Sequence, residues 1–339
     1  MKVVTFGEIM LKLSPLSYQR FVQAGCLNVE YAGAEANVAV SLANYGLESE
    51  FVTKLPKTEL GDAALGSLRR YGVEVNNVCR GGDRIGIYFV EKGASQRPSK
   101  VLYDRKHSAI ADADPSDFDW EKIFDGVDWF HFTGITPALS DGLSLICLEA
   151  CKAAKTKGIT VSCDLNYRKK LWDTEKVHAV MSELCKYVDV CIANEDDATS
   201  VFGITAANSD TGSGIIDVSG YESVAKQLTE MLPFKYVAIT LRESISASDN
   251  NWSAMLYDRH KFYHSRKYPI HIVDRIGGGD SFGAGLIYGL LGSGDSQDAL
   301  DFATAASCLK QTIEGDFNHV SVEEVWSLVR SNGSGRIIR

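Results

Sequence analysis

Short apolar segments alternate with helical patterns along nearly the whole chain, and this alternation limits the fold more than any other feature. The strand segments are Val3–Phe6, Phe51–Leu55, Trp129–Thr133, Thr160–Asp164, Val188–Ala193 and Tyr236–Leu241. Between them run the helical patterns Glu35–Tyr45, Asp62–Tyr71, Leu143–Lys157, Thr174–Lys186, Glu195–Phe202 and Tyr221–Leu232. A strand that is apolar throughout must be covered on both faces, and a helix after each strand supplies the cover. The pattern therefore predicts an α/β fold with a doubly wound, mostly parallel sheet and helices on both faces. In such sheets ligands bind beyond the C-terminal ends of the strands. Polar residues stand at those ends: Asp164-Leu165-Asn166, Asn194-Glu195 and Thr240-Leu241-Arg242.

Two stretches in the N-terminal third break the rhythm. Leu11–Tyr31 holds short strand-like pieces, and Gly86–Arg105 reads as two extended segments, Ile87–Glu91 and Lys100–Asp104, joined by Gly93–Ser99. They fit either a small separate sheet or a pair of surface hairpins. A third hairpin, Ser253–Asp258 with Lys261–His264, precedes a glycine cluster, and Ser331–Arg339 reads as a flexible tail. At 339 residues and 45% apolar, the chain has room for one large α/β domain with insertions. No apolar run approaches the ~18 residues of a membrane span, and the strand at the N-terminus, meeting Gly7-Glu8 at once, is not a signal peptide. Eight cysteines form no C-x-x-C pair and read as free thiols of a reducing, cytoplasmic setting. The seven histidines show no metal spacing. A net charge of −9 excludes general attraction for nucleic acid and leaves anion binding to local devices.

The sharpest of those devices is Asp274-Arg275-Ile276-Gly277-Gly278-Gly279-Asp280-Ser281-Phe282-Gly283-Ala284-Gly285. Three residues without Cβ allow close approach of a ligand to the backbone. Their N–H groups lie where a helix begins, at the positive end of its dipole, which suits a phosphate. Asp280 at the same spot can take a proton beside that phosphate, so the combination suggests phosphoryl transfer; the plainer alternative is a tight turn with Asp280 as helix N-cap. No Gly-Lys-Ser/Thr follows, so this is not a Walker A loop, and the spacing G-x-G-x-x-x-G is not that of a dinucleotide fold.

Together with Gly33-Ala34-Glu35-Ala36-Asn37-Val38-Ala39, which opens an earlier helix, this segment resembles the paired motifs of the ribokinase-like, phosphofructokinase-B-type sugar kinases. The resemblance covers roughly residues 1–330. It implies one ribokinase-like α/β kinase domain with a small β-sheet lid, to which segments of about 11–32 and 86–106 would belong. Arg70-Tyr71-Gly72-Val73, Tyr103-Asp104-Arg105 and Asn166-Tyr167-Arg168 further resemble the family's 2-keto-3-deoxygluconate kinase branch. That branch implies ATP-dependent phosphorylation of 2-keto-3-deoxy-D-gluconate to its 6-phosphate. A kinase of fructose or ribose on the same fold, or a non-catalytic sugar or nucleotide sensor, stays open beside it.

The resemblance also assigns expected roles. Asp280 is the base, with Gly277, Gly278 and Gly279 as the anion hole. Gly33, Ala34, Asn37, Tyr88, Tyr103 and Asp316 line the sugar site. Arg105 and Arg168 are the candidates for the substrate carboxylate, because a guanidinium matches both oxygens. Asn166, Arg168, Asn194, Thr240, Arg242, Ser246, Gly277 and Gly279 are expected around ATP. Mg²⁺ is expected near Asp197, which stands where the family's Asn-x-x-Glu pattern has a longer acid, with Glu195 or Asp196 as alternatives. Asp274 resembles the family position for a monovalent cation, usually K⁺. Arg275 follows it where a small residue is common, and a guanidinium there could replace the ion. A homo-oligomer through the lid completes the expectations.

Overall fold

The structure, a computed structural model, describes residues 1–194, 196–207, 209, 216–292 and 294–331. Six parallel strands form the centre of one sheet, in the order Tyr236–Ser244, Val190–Ala193, Thr160–Asp164, Trp129–Thr133, Lys2–Phe6 and Glu48–Val52. Antiparallel strands Asp249–Tyr257, Phe262–His264 and Tyr268–His271 extend it beyond Tyr236–Ser244. Helices cover both faces. On one, Asp141–Thr156, Thr174–Leu184 and Val218–Met231 pack Leu143, Ile146, Val177, Met181, Val224 and Leu228 against Phe130, Phe132, Val161 and Val237. On the other, Ala34–Asn44, Gly278–Gly292, Ser296–Lys310 and Val322–Arg330 close over Val3, Val190, Ile192 and Ala238. The fold is a mostly parallel sheet with antiparallel additions, as the alternation of strands and helices predicts.

Several boundaries differ from expectation for identifiable reasons. The strand expected at Phe51–Leu55 is Glu48–Val52, with Lys54–Leu55 in a separate two-stranded pairing. Glu50 hid its start, because a carboxylate does not read as interior. It is buried here because Lys2 pairs with it at 3.1 Å and Asn77 donates to it at 2.7 Å. The strand expected to end at Leu241 runs to Ser244, since its antiparallel partner Asp249–Tyr257 continues the ladder to Ser244↔Asn250. The helix Tyr221–Leu232 starts earlier, at Val218, where Asp217 caps it by accepting from the Ser219 N–H. Position 195 and the tail beyond Ser331 lie outside the described residues.

The two irregular N-terminal stretches form a four-stranded sheet of their own, ordered Leu27–Ala32, Met10–Pro15, Ile87–Glu91, Lys100–Asp104. Pairing Val29↔Leu13, Leu13↔Phe89 and Phe89↔Leu102 draws an apolar row across one face. Lys12 and Tyr88, neighbours of that row along their strands, point to the opposite face and reach Asp316. No described helix is long and apolar enough to cross a membrane.

Candidate active site

The glycine cluster lies at the entry to the helix Gly278–Gly292. Gly277 has φ +81°, the left-handed region, and a Cβ on it would stand 2.1 Å from the Asp316 carbonyl oxygen, so no other residue fits without moving the loop. Further along, a Cβ on Gly285 would lie 2.7 Å from Ala303 Cα. This closeness lets Gly278–Gly292 seat against Ser296–Lys310 and fixes the loop in front. The backbone N–H groups of Gly277, Gly279 and Asp280 have no acceptor among the described residues. They are the open amides that a helix N-terminus offers to an anion.

Asp280 is half-buried beside these amides and accepts a 2.6 Å hydrogen bond from Asn37 Nδ2. Loss of water pushes its pKa up to about 7, a shift that Glu35 and Asp316 reinforce and that Asn37 and Arg168 oppose. The other side-chain polar atom of Asn37, Oδ1, is buried with no partner and belongs to the same cleft, where it suits a ligand hydroxyl. Glu35, one position after Ala34, is held by the Thr133 hydroxyl at 2.7 Å and the Thr136 hydroxyl at 2.6 Å. Burial raises its pKa as well.

A cavity of about 400 Å³ opens over the C-terminal ends of the parallel strands, between the large and small sheets. It gathers most of the expected residues: Gly33, Ala34, Asn37, Tyr88, Tyr103, Arg105, Asn166, Arg168, Asn194, Thr240, Arg242, Gly277, Gly278, Gly279, Asp280 and Asp316. A second opening of about 1020 Å³ adjoins it and shares Tyr103, Arg105, Arg168, Asn194 and Arg242, adding Lys106, Lys169 and Lys170. Positive charge thus enters the cleft from one side.

The two candidate arginines differ sharply. Arg105 is committed: its Nε donates to Glu8 at 2.7 Å, its Nη2 donates to the same oxygen, and the Ser108 hydroxyl holds the other Glu8 oxygen at 2.6 Å. Arg168 is exposed at the cleft, and its guanidinium makes no hydrogen bond or ion pair with any described residue. Asp316 is also engaged, by Lys12 at 2.6 Å and the Tyr88 hydroxyl at 2.5 Å. Burial works against the charge on Lys12, yet the carboxylates of Asp316, Asp274 and Glu30 outweigh it and hold its pKa above the ordinary lysine value. Glu8 and Lys12 escaped the sequence reading because neither stands in a motif: Glu8 follows the first strand and Lys12 lies within the second.

Three expected residues stand outside the 400 Å³ cavity. Ser246 is carried past it by the long strand Tyr236–Ser244. Its hydroxyl closes the following turn, accepting from the N–H groups of Ser248 and Asp249 at 3.0 Å each. Asp197 lines only the larger opening and is itself buried; one oxygen accepts from the Tyr167 N–H at 3.0 Å and the other from the Asn194 N–H at 2.9 Å. It orders the two strand-end loops instead of presenting an open oxygen. Asp164 at the end of its strand does line the cavity, and burial, with Asp197 and Asp280 nearby, raises its pKa. No group of three or more His, Cys, Asp or Glu able to hold a metal occurs among the described residues. A Mg²⁺ held mainly by phosphate oxygens and water needs no such group.

Asp274, the third, does not fit a monovalent cation. Its carboxylate faces Lys92 at 3.3 Å, and its carbonyl accepts from Lys310 at 3.2 Å. Arg275, the expected competitor, turns away and donates to the Ala247 carbonyl at 2.9 Å.

A parallel sheet with a cleft at its strand ends, an open amide loop and an adjacent carboxyl of raised pKa define the sugar-kinase class. The model of the pfkB family of carbohydrate kinases matches residues 1–319, and the chain belongs to that family. It is 55% identical to the crystal structure of a 2-dehydro-3-deoxygluconokinase from Thermotoga maritima, with a TM-score of 0.94 covering 98% of this chain and 100% of that one. A 2-dehydro-3-deoxygalactonokinase from Haloferax volcanii is 31% identical, covering 98% of each chain. A 2-dehydro-3-deoxygluconokinase from Bacillus subtilis is 27% identical over 95% of this chain and 93% of its own. The chain is a carbohydrate kinase.

Proposed function

We propose that the protein transfers the terminal phosphoryl group of ATP to the primary hydroxyl of 2-keto-3-deoxy-D-gluconate, giving the 6-phosphate. The observation that carries this reading is the meeting, in one cleft, of Asp280 with the open amides and of Arg168 with no partner. Phosphoryl transfer needs placement and charge stabilisation more than covalent help from the protein. The N–H groups of Gly277, Gly279 and Asp280 stabilise charge on the transferred group's oxygens. Asp280 accepts the hydroxyl proton as the new O–P bond forms and the bond to ADP breaks. Asn37 keeps the Asp280 carboxyl turned to that hydroxyl through its 2.6 Å bond. Thr240, Asn194 and Arg242 stand where ATP would run from the loop toward the larger opening, and bound Mg²⁺ would neutralise phosphate charge there.

Arg168 takes the substrate carboxylate, the feature that separates a keto acid from fructose or ribose. Arg105 supports the pocket wall through Glu8. The four-stranded sheet serves as a lid that excludes water during transfer, and its exposed apolar row serves as a contact between copies of the chain.

The test is ADP release with ATP and a panel of 2-keto-3-deoxygluconate, its galactonate epimer, fructose and ribose. Release with the keto acids far above the neutral sugars supports the reading. Equal or greater release with fructose or ribose removes the carboxylate argument, and no release with any of them removes the enzyme reading.

A further inference from the structure

We infer that Lys310 is a built-in monovalent cation: its ammonium group holds the carbonyls behind the amide loop, so the loop is set for anion binding without a bound metal ion. The inference rests on the reading of Gly277–Gly279 as a phosphate cradle.

Lys310 ends the helix Ser296–Lys310 and is 0% exposed. It donates to the carbonyls of Asp274 at 3.2 Å, of Gly315 at 2.7 Å and of Ile276. An ammonium has three N–H donors and meets three acceptors here, whereas a neutral amine would have only two donors. Backbone carbonyls are also the groups that replace water around K⁺, so the same cage answers to either positive charge, and the side chain already fills it. Burial pulls the pKa of Lys310 below the ordinary lysine value, and the carboxylates of Asp274, Asp316 and Asp280 oppose that pull.

The consequence for the cradle follows from helix geometry. In an α-helix the N–H of residue i bonds the carbonyl of residue i−4. At this helix the rule begins only with Ser281, whose N–H meets the Gly277 carbonyl at 2.9 Å, so the amides before it are open in any case; Lys310 holds the Asp274 and Ile276 carbonyls behind them. Gly278 donates to the Arg275 carbonyl at 3.3 Å, and the Asp280 N–H has no acceptor among the described residues. The Ser307 hydroxyl takes the Gly278 carbonyl at 2.7 Å from the same helix. The loop is thereby sorted, with carbonyls drawn back to Lys310 and Ser307 and amides left open to the cleft. Lys310 is a positioning residue, and a merely structural lysine would not make nucleotide affinity respond to the cation in solution.

The experiment is calorimetric titration of full-length protein with MgATP in tetramethylammonium chloride and in KCl at equal ionic strength, with melting temperatures read in the same buffers. The wild type is expected to bind equally in both, within about twofold. Lys310→Ala, which vacates the cage, is expected to bind about 10²-fold more weakly in tetramethylammonium, on the scale of a lost anion-hole donor. It should regain about tenfold or more with KCl or methylammonium, with a matching rise in melting temperature. Lys310→Met, whose chain still fills the space, should not recover. A wild type whose affinity rises about tenfold with K⁺ overturns the inference, as does a Lys310→Ala protein that binds like the wild type in both salts. Should the variants not fold, the wild-type titrations alone decide. ATP bound in a K⁺-dependent way sinks only the role of Lys310, whereas no binding in either salt sinks the phosphate cradle and this inference with it.

Discussion

Asp280 has two environments to reconcile. Loss of water favours its neutral acid, while Asn37 at 2.6 Å and the charge of Arg168 favour the anion. The balance at about 7 places it where a base can both accept and release a proton near neutrality. The proton acceptor is the ionised form, so kcat/KM should rise with pH and level off above about 7. A profile that is flat from pH 5 to 9 would show that ionisation of Asp280 does not control the reaction. The Arg168 guanidinium has no partner among the described residues, and in the proposed reaction its loss removes a charge-assisted hydrogen bond of ~1.5–3 kcal/mol. Arg168→Leu should therefore raise KM for a keto acid about 10- to 100-fold and leave KM for an uncharged sugar nearly unchanged; equal effects on both would contradict its role.

At the level of elements, the amide loop works because two helices approach closely enough to hold it. Gly277 at φ +81° lies under the Asp316 carbonyl, so Gly277→Ala brings both backbone strain of order 1–3 kcal/mol and a contact the loop must yield to. That variant is expected to melt lower and to bind MgATP at least about tenfold more weakly; normal affinity would show that the loop tolerates displacement. This loop was legible in the sequence because three glycines before an acid and an apolar helix leave few other geometries. The parallel strands were legible too, since each is apolar throughout. What the sequence hid were residues whose type disagreed with their surroundings. Glu50 sits in the middle of the strand Glu48–Val52 while buried against Lys2, and Lys12 and Lys310 carry charge into the interior because carboxylates or carbonyls meet them there. Spacing along the chain records none of these partners, which are up to 304 positions away. For the same reason Arg105 and Arg168 looked alike, and Glu8 decided between them. Ser246 was placed too near the cleft because the length of the strand before it depended on its partner strand.

For the whole molecule, the site lies between two sheets with different tasks. The large sheet fixes the amide loop and the strand-end polar residues, and the small one brings Tyr88, Tyr103 and Arg105 over them. The far face of the small sheet carries the row Val29, Leu13, Phe89 and Leu102, with Val29 61% and Leu102 55% exposed. We propose that this row, with Leu13 and Phe89 half-buried between its exposed ends, is a contact between copies of the chain. Leu102→Asp is expected to lower the molar mass measured by light scattering to that of one chain. A wild type that is itself monomeric at micromolar concentration would contradict the contact. The central claim is that the glycine loop and Asp280 together pass a phosphoryl group to the hydroxyl of a sugar acid. The most direct measurement is keto-acid-dependent ADP release by the wild type and by Asp280→Asn, alongside MgATP affinity for both. The account predicts a fall in kcat of about 10²–10⁴-fold with affinity retained. An Asp280→Asn protein that turns over near the wild-type rate would contradict it.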